Sequence, residues 1–420
     1  LFQASGTGTM TATVSSEKSI LVSGAVGSEA ATLGTDTTDT INITVSDALT
    51  PNEWATIKAK TGGTVTASGG FSAALSQYAS TTALATNWDN AVTANPNTAV
   101  AITDTKLTTS DHITALNLVA NDATHTGANA KITATVEAAL ATLGVGTLKT
   151  SSSDPVAYTV TDTDLVNADI NDLNTLKGKT AGVVTIGGVT ATASQLSSLN
   201  TGTTDAVTMT ASGSTNTVAE ALVLARKTNA LTNISIVGIT DTQAQISGTG
   251  VANTATGLSE LKTLVGSSPT TAQAIDSLYN RVTGSVTISG GAIDVDNAVN
   301  ISSFTVGSGG SAISYTISDS AGDDTSGNEG LATTTSDVNR AIANASTVTQ
   351  TGTALTIAQA QEMLEDENGD ALTSAAKFTY AVSDTYTAIT NASSGASGVH
   401  AKLAHDRAAA TNGVTLTPAS

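Results

Sequence analysis

The apolar positions of this chain follow two rhythms. One is strict alternation with polar residues, as in Ile41-Asn42-Ile43-Thr44-Val45 and Ser285-Val286-Thr287-Ile288. It predicts strands buried on one face, because successive side chains of a strand point to opposite sides. The other is a spacing of three and four, which predicts short helices with one apolar stripe. Ile170, Leu173 and Leu176 mark one such helix, Val218, Ala221, Leu222 and Ala225 a second, and Leu258, Leu261 and Leu264 a third. Start signals accompany the stripes. Thr50-Pro51-Asn52-Glu53 reads as a capping box, with Pro at the first helical position and Glu three residues after the cap. Trp54 and Ile57 follow on one face, and Ser268-Pro269 opens a further predicted helix carrying Ile275, Leu278 and Val282.

A short signature recurs through this alternation. It is Val45-Ser46-Asp47, Ile102-Thr103-Asp104, Val160-Thr161-Asp162, Ile239-Thr240-Asp241, Ile317-Ser318-Asp319 and Val382-Ser383-Asp384. Each copy is a β-branched residue, a hydroxyl residue and Asp. Tyr158, Tyr315 and Tyr380 stand at one offset before their aspartates. A longer match supports the repeat: Ile57-Lys58-Ala59-Lys60-Thr61-Gly62-Gly63-Thr64-Val65-Thr66 parallels Leu176-Lys177-Gly178-Lys179-Thr180-Ala181-Gly182-Val183-Val184-Thr185. The signatures divide the chain into regions 1–100, 101–157, 158–236, 237–312, 313–378 and a partial 379–420. At a strand-to-helix junction the first amides of the helix lack partners, and an Asp oxygen can accept from them. Asp47, Asp104, Asp162, Asp241, Asp319 and Asp384 are therefore read as structural caps, with a metal or partner contact as the alternative.

Composition sharpens this picture. The chain has 420 residues with 40% hydrophobic, 12% charged and 3% aromatic residues. A core can be buried, but it must be built from Ala, Val, Ile and Leu. No single region holds enough large apolar side chains to bury a core alone, so neighbours are expected to share one, as stacked repeats do. The expected fold is α/β, an elongated solenoid-like array of strands alternating with short helices. The alternative is a tandem of small β-sandwich or α+β domains. The formal net charge is −19 and the basic residues form no cluster, which disfavours nucleic acid and anionic membrane surfaces as partners. No apolar run reaches the length of a membrane span. There is no cysteine, which removes disulfides, thiolate metal sites and thiol catalysis. The chain begins Leu1-Phe2-Gln3 and is read as a processed product or a piece of something longer. Gly6 to Val14 alternates like an exposed strand, so the ends are expected to meet another copy end to end.

Catalytic patterns are sparse. Gly178-Lys179-Thr180 lacks the earlier Gly of a phosphate-binding loop, where Leu173 stands, and it follows a helix instead of opening one. His112, His125, His400 and His405 form no metal-ligand spacing, and Asp323-Asp324 sits in a Gly/Ser-rich stretch that reads as loop. Glu365-Asp366-Glu367-Asn368-Gly369-Asp370 places oxygen donors at alternate positions around a Gly. Asp366, Asn368 and Asp370 are read as a candidate calcium site, against a solvated loop as the alternative.

The Val/Ile-Thr-Asp entry, the Leu-spaced helices, the strand Val183-Val184-Thr185-Ile186-Gly187-Gly188 and the Ile246-Ser247-Gly248-Thr249 stretch resemble one known type. They resemble the large Thr/Ala/Gly-rich repeat proteins on the surfaces of bacteria, marine cyanobacteria especially. That resemblance implies an exported, non-enzymatic protein, a surface layer, adhesin or motility-associated filament built from copies of itself. It also implies calcium binding, although the strong calcium repeats of such proteins are missing here. The runner-up expectation is the stalk or fibre of an adhesin, bacterial or phage, that binds cell-surface glycans.

Overall fold

The structure is a computed structural model that describes residues 11–16, 35–307, 313–322, 329–333, 335–364, 378–385 and 415–419. It is a mixed α/β fold in which strands and short helices alternate and the strands pair in parallel, with no closed barrel among the described residues. The described residues form two compact bodies. The first comprises those up to Val189 together with Ser198–Thr208, and the second Thr190–Ser197 with those from Met209 onward.

In the first body Thr11–Ser16, Thr40–Val45 and Val65–Ala67 lie side by side, with Ser15 opposite Thr44 and Thr44 opposite Thr66. Phe71–Ala73, Val100–Ile102 and Ile132–Thr133 form a second parallel set. Ala157–Val160 pairs with Thr135–Ala138 on one side and with Val184–Thr192 on the other. In the second body Ile234–Thr242 pairs with Met209 to Ala211 and with Val282–Ser289. Thr316–Asp319, Thr347–Gln350 and Phe378–Thr379 form a further set, and Ala381–Thr385 pairs with Thr415–Ala419. Parallel neighbours need a crossover between them, and the helices supply it. A crossover is short here: the residue opposite Ile43 is Val65, and the residue opposite Thr135 is Ala157. The signature aspartates are farther apart than that, and they mark every second to fourth strand.

The alternation read from sequence has a direct cause in this arrangement. Ile41, Ile43 and Val45 are at most 2% exposed, while Thr40 before them and Asn42 between them face outward. The helices lay their stripes on the same core: Trp54 and Ile57 of Pro51–Lys58, Leu173 and Leu176 of Ile170–Lys177, and Val218 and Leu222 of Val218–Leu224 are buried. Each fully buried aliphatic side chain contributes about 1.5–3 kcal/mol. Among the described residues the largest aromatic cluster is in the first body. Trp88 is fully buried there and meets Phe71, Tyr78 and His125 edge-on, at centroid distances of 5.4, 5.1 and 5.7 Å.

Local signals placed most boundaries. Thr50 caps Pro51–Lys58, its hydroxyl accepting from the Glu53 amide while Glu53 accepts from the Thr50 amide. One boundary needs correction. The helix predicted from Ser268-Pro269 is Thr271–Tyr279, and Val282 opens the following strand. Thr270 with Gln273 forms the capping box two residues later than expected, and the Arg281 amide closing on the Leu278 carbonyl ends the helix before Val282.

Candidate functional site

The signature aspartates share one geometry. Asp104 accepts a hydrogen bond from the Leu75 amide at 2.5 Å, Asp162 from Leu140 at 2.7 Å and Asp241 from Val218 at 3.0 Å. Asp319 accepts from Val295 at 2.8 Å and Asp384 from Ile357 at 3.0 Å. Every donor is the first residue of a helix or helical turn, and it lies upstream of its aspartate. The helix or helical turn each aspartate holds therefore lies upstream of its strand, not after it. Asp47 stands at the corresponding place after Thr40–Val45, and the residues a like distance upstream of it are outside the described ones.

These caps add to local ones. In Val218–Leu224 the Thr217 hydroxyl serves the Glu220 amide, and Asp241 serves the Val218 amide that Thr217 does not reach. In Val295–Ser302 the local Asp294 serves Asn297 while Asp319 serves Val295. The second oxygens of Asp241, Asp319 and Asp384 accept from the amides of Thr242, Ser320 and Thr385. The two backbone bonds, Ile357 first, hold the exposed Asp384 carboxyl below its ordinary range. Asn216 does the same work without a charge: its carbonyl accepts from Ala193, the first residue of Ala193–Leu196, at 3.2 Å, and its amide donates to the carbonyls of Gly213 and Gly238.

A second set of side chains holds the ends of strands, three of them at strand starts. Asp154 accepts from the Ile132 amide at 2.9 Å, Asp205 from Val184 at 2.8 Å and Asn95 from Ala67 at 3.0 Å. The Thr61 hydroxyl accepts from Ile41 at 2.9 Å. Asp205 is fully buried and forms an ion pair with Lys177 at 2.9 Å. Sequence reasoning missed this set, although a signal exists. Thr35…Asp39-Thr40-Ile41, Thr150…Asp154-Pro155-Val156 and Thr201…Asp205-Ala206-Val207 share Thr, three residues, Asp, one residue and a β-branched residue, and all three Thr and all three Asp are buried.

The longer sequence match is one local structure used twice. Thr61 donates to the Ile41 carbonyl and accepts from Gly63, and Thr180 donates to the Val156 carbonyl and accepts from Gly182. Lys58 and Lys177 each donate from the helix end to the carbonyl of the glycine beyond, Gly63 and Gly182. Only glycine fits there: a Cβ would lie 2.3 Å from the Ile41 oxygen at Gly63, and 2.4 Å from the Val156 oxygen at Gly182. Gly178-Lys179-Thr180 is thus a helix end with a buried threonine.

Other chemistry-bearing groups are dispersed. Among the described residues no group of three or more His, Asp or Glu could hold a metal ion. The sequence-predicted calcium residues Asp366, Asn368 and Asp370, like His400, His405 and Asp323-Asp324, lie outside the described residues. His112 accepts from the Thr108 amide, and His125 bonds the Thr98 carbonyl at 2.7 Å beside Trp88. Burial pushes the Tyr158 hydroxyl up to about 12, opposed by its hydrogen bond to Thr150. Burial likewise raises Tyr78, Tyr279 and Tyr315. The Tyr315 hydroxyl donates to the Ala341 carbonyl at 2.7 Å, so it tethers backbone. Two open depressions accompany these groups. One of about 580 Å³ lies against Trp54, Lys58 and Asn90, and one of about 480 Å³ against Ser277, Arg281 and Thr305. No helix among the described residues is long and apolar enough to cross a membrane. No protein family, no curated protein and no solved structure matches the chain.

Proposed function

We propose that this chain is an extracellular structural protein, without enzymatic activity, that assembles with copies of itself into a surface layer or filament. In this reading its strand–helix units stack as an elongated solenoid. The observation that carries it is where the buried and half-buried polar side chains go. Asp104, Asp154, Asp162, Asp205, Asn216, Asp241 and Asp319 spend their oxygens on main-chain amides of a neighbouring unit. A catalytic site needs such groups held facing a substrate; a scaffold needs them joining backbone to backbone.

Outward positions of the parallel strands supply a surface for assembly. Ser15, Thr44 and Thr66 stand in one row, and Ser318, Thr349 and Thr379 in another. Thr11–Ser16 is paired on one side only among the described residues. A strand edge without Lys, Pro or a bulge is a template for another chain, with affinity drawn from main-chain hydrogen bonds. Calcium at Asp366, Asn368 and Asp370 belongs to this proposal as an added tie.

Negative-stain microscopy and sedimentation of the purified chain test the reading. Filaments or sheets are expected, and lost on deleting residues 1–14. A monomer at every concentration overturns it. The second reading, an adhesin stalk that binds cell-surface glycans, draws on the depression at Arg281. Arg226 and Arg340 are ion-paired with Glu260 and Asp337, whereas Arg281 has no carboxylate partner among the described residues. A monomer retained on a glycan array, and released by Arg281→Ala, would favour it.

A further inference from the structure

The bonds that cross from one strand–helix unit to the next have a direction. At the first amide of a helix, Leu75, Leu140, Ala193, Val218, Val295 and Ile357 are served by Asp104, Asp162, Asn216, Asp241, Asp319 and Asp384. At the first, second or last residue of a strand, Ile41, Ala67, Ile132 and Val184 are served by Thr61, Asn95, Asp154 and Asp205. In all ten the donor is upstream and the acceptor comes from 20 to 29 residues downstream. Bonds of the opposite sense serve exposed amides at Thr64 (to Asn42), Lys149 (to Asn117) and Asn200 (to Asn174), and a half-buried one at Glu329 (to Asp296). Among strand starts Ala381 is the exception, served from upstream by Gln350.

The two ends of such a bond do not lose equally when it is broken. At the helix starts, a buried amide left without an acceptor has no water to turn to, whereas a half-buried carboxylate such as Asp104, Asp162, Asp241 or Asp319 rehydrates. We propose that this makes order conditional in one direction: each unit is completed by the unit that follows it, and local opening passes toward the amino end and stops on the carboxyl side. The local caps do not cancel the effect, because Thr217 and Asp294 serve later amides than the ones at issue. A stack built this way confines damage to the units upstream of a defect.

Residue-resolved hydrogen exchange on the full chain tests this. In Asp241→Ala the amides of Val218–Leu224 should exchange on the order of tenfold faster, the size of a lost cap. Those of Gln243–Ile246, which follows Asp241 in sequence, should stay within about twofold. Asp241→Asn should restore protection, since Asn216 already serves Ala193 as an amide. Should Asp241→Ala fail to fold, Asn216→Ala gives the same reading at Ala193–Leu196 against Val218–Leu224. Acceleration equal on both sides, confined to the downstream helix, or absent would overturn the proposal.

Discussion

Removing the Asp205 carboxylate should destabilise the first body by about 3 kcal/mol. The side chain is fully buried and takes three bonds: the Lys177 ammonium at 2.9 Å, the Val184 amide at 2.8 Å and the Gly202 amide at 2.8 Å. Asp205→Ala leaves the buried Val184 amide without an acceptor, at a cost of about 1–3 kcal/mol, and the half-buried Gly202 amide at the lower end of the same range. Lys177 adds little. Its side chain is 21% exposed and keeps its bond to the Gly182 carbonyl, so the ammonium turns to water. Spread over a body of this size, with a melting shift of roughly 2–4 °C per kcal/mol, the transition should fall by roughly 6–12 °C. Calorimetry resolves that shift, and urea titration gives the free energy independently. Lys177→Met should cost less in the Asp205→Ala background than on its own, because only its bond to the Gly182 carbonyl is then left to lose. A loss below about 1 kcal/mol for Asp205→Ala would refute the reasoning, since it would mean that the Val184 amide finds another acceptor when the carboxylate is gone.

Three further outcomes follow from the same structure. Thr180→Val keeps the shape but removes a hydroxyl that bonds Val156 and Gly182, so it should cost about 2 kcal/mol in urea unfolding, with Thr180→Ser restoring most of it; a silent Thr180→Val counts against the buried network. Tyr158 is held neutral by burial, its folded value raised to about 12 from 10. Its contribution is therefore complete below pH 10 and is lost as pH rises from there toward 12. Tyrosinate absorbance and loss of circular dichroism should appear together in that window, and ionisation of Tyr158 at pH 10 in a folded chain would contradict it. Calcium in the millimolar range should raise the melting temperature over that in chelator through Asp366, Asn368 and Asp370, and superimposable melts would remove calcium from the proposal.

The residue pattern alone was enough for the elements and for their local ends. Alternation at Ile41 to Val45 places a strand because burial on one face needs only period two, and Thr50 with Glu53 places a helix start because both cap bonds close within four residues. The match around Lys58-Ala59-Lys60-Thr61-Gly62-Gly63 was legible for the same reason: a helix end, a hydroxyl and a close-packed glycine are adjacent in the chain. What stayed hidden is every bond whose partner is 20 or more residues away. Asp162 stands ahead of the helix Ile170–Lys177 in sequence, yet it caps Leu140. Only the parallel stacking decides this, because it brings the end of one strand beside the helix start of the unit before. Asp154 and Asp205 acquire their roles only when the fold buries them against Ile132 and Val184. A buried amide must be satisfied by whatever acceptor the topology delivers, and the delivery is a property of the stack, not of the segment.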